Sequence, residues 1–499
     1  MHPIKRRTFL MLSGGAVGSV LLTRCTNRPL SSLQMPPSTA IAAVTSQGGL
    51  LDLALEARPT TLTMGNQQGH LFAYNGSIPG PRLEAKPGDT VKIRFRNQLT
   101  QPTNLHFHGL HIPPTEHADN IFLTVPPQES LTYQFTLPQN HPGGTFYYHP
   151  HLHEWVASQV FGGLGGIFVV RGALDEIPEV KAAKEVFLFI KDFAFDANGQ
   201  LPSPNHRDQM LGREGKVVTV NGQVNPHLTV AKGGLLRLRI VNASTSRFYR
   251  LQLEDHPLHL IATDSGAIAQ PIELSELLLS PGERVEVLVK GDRNPGQYRL
   301  LNLPYDRGGM GMMGSGMMGG GMMGNMHHRP PENATQAPQI LATITYSGST
   351  TTPLPLPRKL LPIAALPPAN RTRRIEMSMS MGMGNGGMNM AFLFNGQPFD
   401  MDRVDAAVKL GSVEDWEIVN VDPDGMEHSF HLHTHPFQVV SRNGQPAPYL
   451  SWKDTVRVQA NETVRLRIPF RDYPGKTVYH CHVLDHEDLG MMGIVDVQT

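Results

Sequence analysis

A chain of 499 residues is too long for one ordinary domain and suggests about three. Lysine plus arginine equals aspartate plus glutamate at 43 each, so no bulk charge favours a nucleic acid or a membrane surface as partner. Its 49 glycines, 41 prolines, 23 histidines and 23 methionines, against two cysteines, point to turn-rich β structure and exclude a disulfide framework.

The chain starts with "MHPIKRRTFLMLSGGAVGSVLLTRC", in which Lys5, Arg6 and Arg7 precede an apolar run too short to span a bilayer. Paired arginines followed by Phe9 and Leu10 resemble a twin-arginine export signal, which implies a periplasmic or otherwise exported protein. Lipid anchoring at Cys25 is disfavoured because Arg24 stands where a small residue is expected, and Cys481 is then the single cysteine of the mature chain. No later stretch is apolar enough to cross a membrane, so the mature protein is expected to lack an integral membrane segment.

One phrase then occurs three times: "YNGSIPGPRLEAKPGDTVKIRFRNQL" from Tyr74, "VNGQVNPHLTVAKGGLLRLRIVNAS" from Val220 and "FNGQPFDMDRVDAAVKLGSVEDWEIVN" from Phe394. Each is an Asn-Gly turn, a short extended stretch and a β-branched strand ending near Asn. Each is followed by a further pair of strands: "ESLTYQF" and "GTFYYHPH", "ERVEVLVK" and "GQYRLLNL", "ETVRLRIPF" and "GKTVYHCH". Repetition at this period predicts three related all-β sandwich or barrel domains. We place a leader and linker at 1–45 and domains at 46–172, 173–352 and 353–499. Only the first and third copies end in histidine pairs, so the chemistry is expected between those two domains, with the middle one as spacer.

Four His-x-His pairs stand out: His106 with His108, His149 with His151, His431 with His433, and His480 with His482. On a strand, residues i and i+2 share a face, and imidazole suits copper, zinc or iron. A single pair reads as a polar sheet face; four pairs, two from each terminal domain, read as the ligands of one metal cluster. Cys481 points away from its two histidine neighbours, and His428, three residues before His431, points away from that pair in the same sense. With His486 as third ligand and Met491 as weak axial thioether, these form a His₂Cys set of the blue-copper kind.

The segments "HFHG" at 106, "YHPH" at 148, "HSFHLHTH" at 428 and "HCHVLDHEDLGMM" at 480 resemble the four copper motifs of the three-domain multicopper oxidases. The resemblance implies three cupredoxin-like Greek-key β-barrels and four copper ions per chain: one type 1, one type 2 and two type 3. It implies type 1 ligation by His428, Cys481, His486 and Met491, and type 2 ligation by His106 and His431. One type 3 copper would take His108, His149 and His482, the other His151, His433 and His480. Asp119 and Glu487 resemble acidic residues that assist proton delivery while O2 is reduced to water.

Two further segments are methionine-rich: "GGMGMMGSGMMGGGMMGNMHH", placed at 308–328 as an insertion in the middle domain, and "MSMSMGMGNGGMNM" at 377–390. Glycine at this density predicts no fixed conformation, and soft thioethers select Cu(I). Similarity to bacterial cuprous oxidases implies a substrate-copper site at Met379, Asp424 and Met426, although the acidic partner expected near Gly384 is absent. The expected reductant is therefore Cu(I), in the service of copper tolerance, with O2 as acceptor in a monomer. Alternatives are a laccase acting on phenols and aromatic amines, a periplasmic copper-sequestering protein, and a structural member of the fold without copper.

Overall fold

Strands account for almost all regular structure, and they assemble in three successive pairs of sheets. The computed structural model describes residues 40–308, 337–350, 352–384, 387–422 and 425–499, with 382–384 and 387–389 described by backbone alone. The leader, the methionine-rich insertion from 309 onward and Asp424 lie outside the described residues. Among the described residues, no helix is long and apolar enough to cross a membrane.

The first pair is a four-stranded sheet over Leu50–Met64, Gln67–Tyr74, Thr90–Asn97 and Ser130–Thr136, facing a five-stranded sheet that ends in Gly144–His149 and His106–His108. The last pair contains a five-stranded sheet in which Gly475–Cys481 lies between Met492–Gln498 and His428–Leu432. Each pair of sheets encloses its own apolar core, as alternating inward residues in two-layer β structure require. These are three cupredoxin-like domains.

The threefold repeat is visible at atomic detail. Asn75-Gly76, Asn221-Gly222 and Asn395-Gly396 all have positive φ at both residues, the signature of a type I′ turn. In every copy the turn's Asn accepts a backbone N–H from a neighbouring strand: Glu56, Phe189 and Glu376 respectively. The strand-ending Asn97, Asn242 and Asn420 likewise each donate to main-chain carbonyls. The paired strands after each repeat, such as Ser130–Thr136 and Gly144–His149, lie in opposite sheets of their domain.

Small apolar clusters join the domains. Ile121 packs with Val478, Met492 and Ile494, and the helix Val156–Gly162 packs on Leu484, so the first and third domains meet on either side of the histidine-bearing strands. Tyr147, Ile167 and Val169 pack against Phe187, Phe189 and Val241, joining the first and middle domains.

One expectation fails here. The described residues of the segment at 377–390 lie in two paired strands, Arg371–Gly384 and Gly387–Phe394, rather than without fixed conformation. Its methionines alternate, Met377, Met379 and Met381, so they share one face, and the strand is completed by pairing with Val413–Asn420.

Candidate metal centres

Two donor clusters sit back to back on the strand Gly475–Cys481. Pairing aligns His106 with His149 across the first domain's sheet and His431 with His480 across the third's. Only His106 and His108 lie together inside one strand; His151, His433 and His482 fall just beyond strand ends. Strand geometry thus puts the first pair alone on a shared face. Loop geometry does the rest, bringing the rings of His480 and His482 to 5.6 Å.

The first cluster contains Cys481, His428 and His486. Cys481 Sγ lies 3.6 Å from His428 Nδ1 and 3.8 Å from His486 Nδ1, and the two Nδ1 atoms are 3.3 Å apart. All three residues are buried. His486 donates its other nitrogen to the Met210 carbonyl at 2.9 Å, and His428 Nε2 faces Asp422 Oδ2 at 3.3 Å. Each ring is thereby held with Nδ1 turned inward, the tautomer control that metal-binding histidines need. Phe392 stacks on His486 at 3.8 Å between centroids. Met491 is fully buried in the same core, and its carbonyl accepts the Cys481 N–H at 3.0 Å.

The second cluster gathers all eight histidines of the four pairs, buried. Sets whose donor atoms lie within 4.8 Å of one another include His151 with His433 and His480, His106 with His431 and His433, and His106 with His108 and His149. His482 joins through ring contacts, 4.9 Å from His108 and 5.5 Å from His149, while its Nε2 meets the Tyr147 hydroxyl at 2.8 Å. His106 Nε2, His108 Nδ1, His149 Nε2, His431 Nε2 and His482 Nδ1 are buried without any protein partner. Orphaned buried nitrogens on this scale are costly unless a ligand satisfies them, so the donor set fits bound metal. Burial also holds the imidazoles neutral, with His151 and His480 pushed down to about 3, which is the protonation state a metal requires.

Asp119 and Glu487 both reach this cluster. Asp119 Oδ1 accepts from His106 Nδ1 and from the Phe107 N–H, each at 2.8 Å, and its Oδ2 is 3.8 Å from His433 Nδ1. Glu487 Oε2 lies 2.9 Å from His480 Nδ1, and its Oε1 lies 3.4 Å from His151 Nε2. Burial raises both carboxyls, Asp119 to about 8. Each carboxyl can therefore hold a proton beside the histidines.

Sequence reasoning missed Asp454, Asp422, Tyr147 and Met210, none of which belongs to a metal-binding pattern. It also described the middle domain as a spacer, and this needs correction. The turn at 280–284 reaches the ligand-bearing strands: Ser429 Oγ donates to the Pro281 carbonyl at 2.9 Å, and Gly282 lies so close to His482 that a Cβ would stand 2.9 Å from the ring.

His486 also lines a cleft of about 740 Å³ together with Leu211, Phe248, Tyr305, Met426 and Glu427. The cleft opens the Cys481 cluster toward solvent, while the eight-histidine cluster is enclosed. Met379 and Met426 are buried in the same core as Cys481, and Met381 is 42 % exposed.

Family models described as "Multicopper oxidase" match residues 56–174, 187–312 and 373–499. A solved structure described as "Multicopper oxidase from Campylobacter jejuni: a metallo-oxidase" is 32 % identical, covers 92 % of this chain and 94 % of its own, and superposes with a TM-score of 0.78. "Multicopper oxidase mco" of Staphylococcus haemolyticus is 29 % identical over 87 % of this chain and 85 % of its own length. "Cell division protein FtsP" of Yersinia pestis is 28 % identical over 98 % of both.

Proposed function

The chain belongs to the multicopper oxidase family, and from that premise we propose that this oxidoreductase is a metallo-oxidase that takes electrons from Cu(I) and passes them to O2. In this reading His428, Cys481, His486 and Met491 hold the type 1 copper. His106 and His431 hold the type 2 copper. His108, His149 and His482 hold one type 3 copper, and His151, His433 and His480 the other. Four bound coppers supply storage for the four electrons that reduction of O2 to two waters consumes.

The protein's own atoms supply electron uptake, transfer and protons. Electrons come in at the His486 edge, where the cleft reaches the buried ring. Cys481 carries its side chain to one cluster while its backbone continues directly into His480 and His482 of the other, so the link is covalent. Asp119 and Glu487, whose carboxyls burial raises, stand beside His106 and His480, where they are placed to pass protons to the cluster. The complete donor set speaks against a purely structural role of the kind that the name of the cell-division relative suggests.

The observation that carries the choice of Cu(I) is the methionine hairpin. Met381 stands directly opposite Met390, Met379 opposite Phe392, and Phe392 stacks on His486. A face of soft thioethers thus runs from solvent to the type 1 edge, and thioethers prefer Cu(I) to harder ions. Met426, at the cleft wall, adds another thioether, and Asp424 is the proposed carboxylate of the same substrate site. The similar Campylobacter jejuni protein is described as a metallo-oxidase, which agrees with this reading. We further propose export by the twin-arginine route, on the strength of the leader.

Oxygen uptake by the copper-loaded enzyme with Cu(I) and with a phenol, at matched concentrations, tests the proposal. A much higher kcat/KM for Cu(I) is expected. A preference for the phenol makes the enzyme a laccase instead.

A further inference from the structure

The middle domain carries none of the eight cluster histidines, yet one of its side chains grips a residue that faces two of them. Arg284 opens the strand Arg284–Lys290 and is fully buried. Its guanidinium is saturated: Nε donates to the Thr145 carbonyl at 3.2 Å, Nη1 to the Gly282 carbonyl at 3.1 Å, and Nη2 to the Asp264 carbonyl at 2.9 Å. Both terminal nitrogens also grip Asp454 of the third domain, Nη1 on Oδ1 and Nη2 on Oδ2, each at 2.6 Å. A two-pronged contact of this kind fixes the plane of the carboxylate as well as its place.

Asp454 faces one ligand from each terminal domain. Its Oδ1 lies 3.0 Å from His108 Nε2, and its main-chain carbonyl lies 2.9 Å from His431 Nδ1. Both oxygens are acceptors, so His108 carries its proton on Nε2 and His431 on Nδ1. The remaining lone pairs, His108 Nδ1 and His431 Nε2, are two of the orphaned nitrogens inside the cluster. The two rings stack at 3.7 Å with an 11° tilt, so turning either one displaces the other. Ser265, again from the middle domain, donates to Asp454 Oδ2 at 3.0 Å. The glycine that follows His108 completes the fit, because a Cβ on Gly109 would collide with Arg284 Nη2.

We propose that Arg284 is a positioning residue of the histidine cluster: by holding the Asp454 carboxylate it fixes the tautomer and ring orientation of His108 and, through the stacked rings, the orientation of His431, and so makes the middle domain part of the oxygen-reducing site. Stability alone is a poor reason to keep this pair, since a buried ion pair is often no better than apolar packing of the same volume. The inference rests on the cluster binding copper and is independent of whether Cu(I) or a phenol is the reductant.

The test uses full-length, copper-loaded Arg284→Lys, which keeps the charge and removes the fork, and Asp454→Asn, which keeps the shape and removes the charge. Wild-type enzyme showing no type 2 electron paramagnetic resonance signal would defeat the copper reading itself, before any variant is compared. Given that signal, both variants are expected to keep the blue type 1 absorption and its rate of anaerobic reduction. They are expected to show an altered or diminished type 2 signal and less copper per chain. Oxygen-reducing turnover should drop about 10- to 100-fold, the usual scale for losing an outer partner of a metal ligand, with the KM for the reductant unchanged. Wild-type signal, copper content and turnover in either variant overturns the proposal. Loss of the type 1 band together with the cluster signal in both variants also overturns it, because that pattern marks a residue needed for folding rather than for positioning.

Discussion

The Cys481 pocket and the eight-histidine cluster share a strand but are assembled on different scales. Every donor of the pocket lies between His428 and Met491, and the first contact from elsewhere is the Met210 carbonyl on His486. The cluster takes four histidines from 106–151 and four from 431–482, with Asp119 from the first domain, Asp454 and Glu487 from the third, and Arg284 from the middle one. A pocket folded within one domain forms with that domain. A cluster spread over three domains exists only when their interfaces close, which is why its outer partners are carboxylates and an arginine that bridge domains.

It follows from this difference that damage to the pocket leaves the cluster standing. Cys481→Ser should abolish the blue absorption and reduce turnover below detection, because the thiolate is lost as the donor of this pocket while the backbone into His480 and His482 stays. Metal analysis should still find copper in the cluster. Loss of all copper from this variant would show that the two centres are one cooperative unit, and the comparison would fail.

The converse case is Asp119→Ala. It removes the acceptor for both His106 Nδ1 and the Phe107 N–H, freeing the His106 ring to turn. We expect turnover or cluster copper affinity to fall about 10- to 100-fold while the blue band is unchanged. The measurement is copper stoichiometry alongside visible absorption. A bleached variant would mean that the cluster supports the pocket.

A smaller effect is expected from Asp422→Ala, which acts on the pocket from within its own domain. Asp422 is 3.3 Å from His428 Nε2 and is itself held by the Asn420 side chain. Its loss should shift the position of the blue band and the type 1 potential, with turnover down less than about tenfold. The type 2 resonance signal should not move, and a change there would place Asp422 in the wrong region.

The pattern of what the sequence disclosed follows the same division of scale. The threefold repeat, the β class and the two donor sets are written in short motifs, because ligands to one metal must come from a few adjacent strand and loop positions. His428, Cys481 and His486 converge as their spacing suggests. Asp454 and Arg284 were invisible, since they lie 170 residues apart and neither falls inside one of the histidine motifs. The flexible reading of 377–390 failed in its described residues for a related reason: glycine content outweighed the period-two methionine pattern, and the strand Val413–Asn420, which pairs with the entry to the hairpin at Arg371–Met377, lies beyond its local sequence.

That hairpin is where the comparison can be sharpened most finely, because its described side chains meet the pocket through Phe392 on His486. Met381 and Met390 are cross-strand partners, and Met381 is the more exposed of the two, as capture of an ion from solvent requires. Met381→Ala keeps the backbone pairing, which is made by main-chain groups, and deletes one soft donor of several. The KM for Cu(I) should therefore rise by less than about tenfold, a change that corresponds to under ~1.4 kcal/mol, with kcat unchanged. That split is expected of a residue that binds substrate without acting at the reacting centre. A phenol, which has no use for thioethers, should be oxidised at the wild-type rate. An equal loss with both reductants would instead mean that the hairpin acts by holding Phe392 against His486, a structural contribution to the pocket rather than a route for the ion.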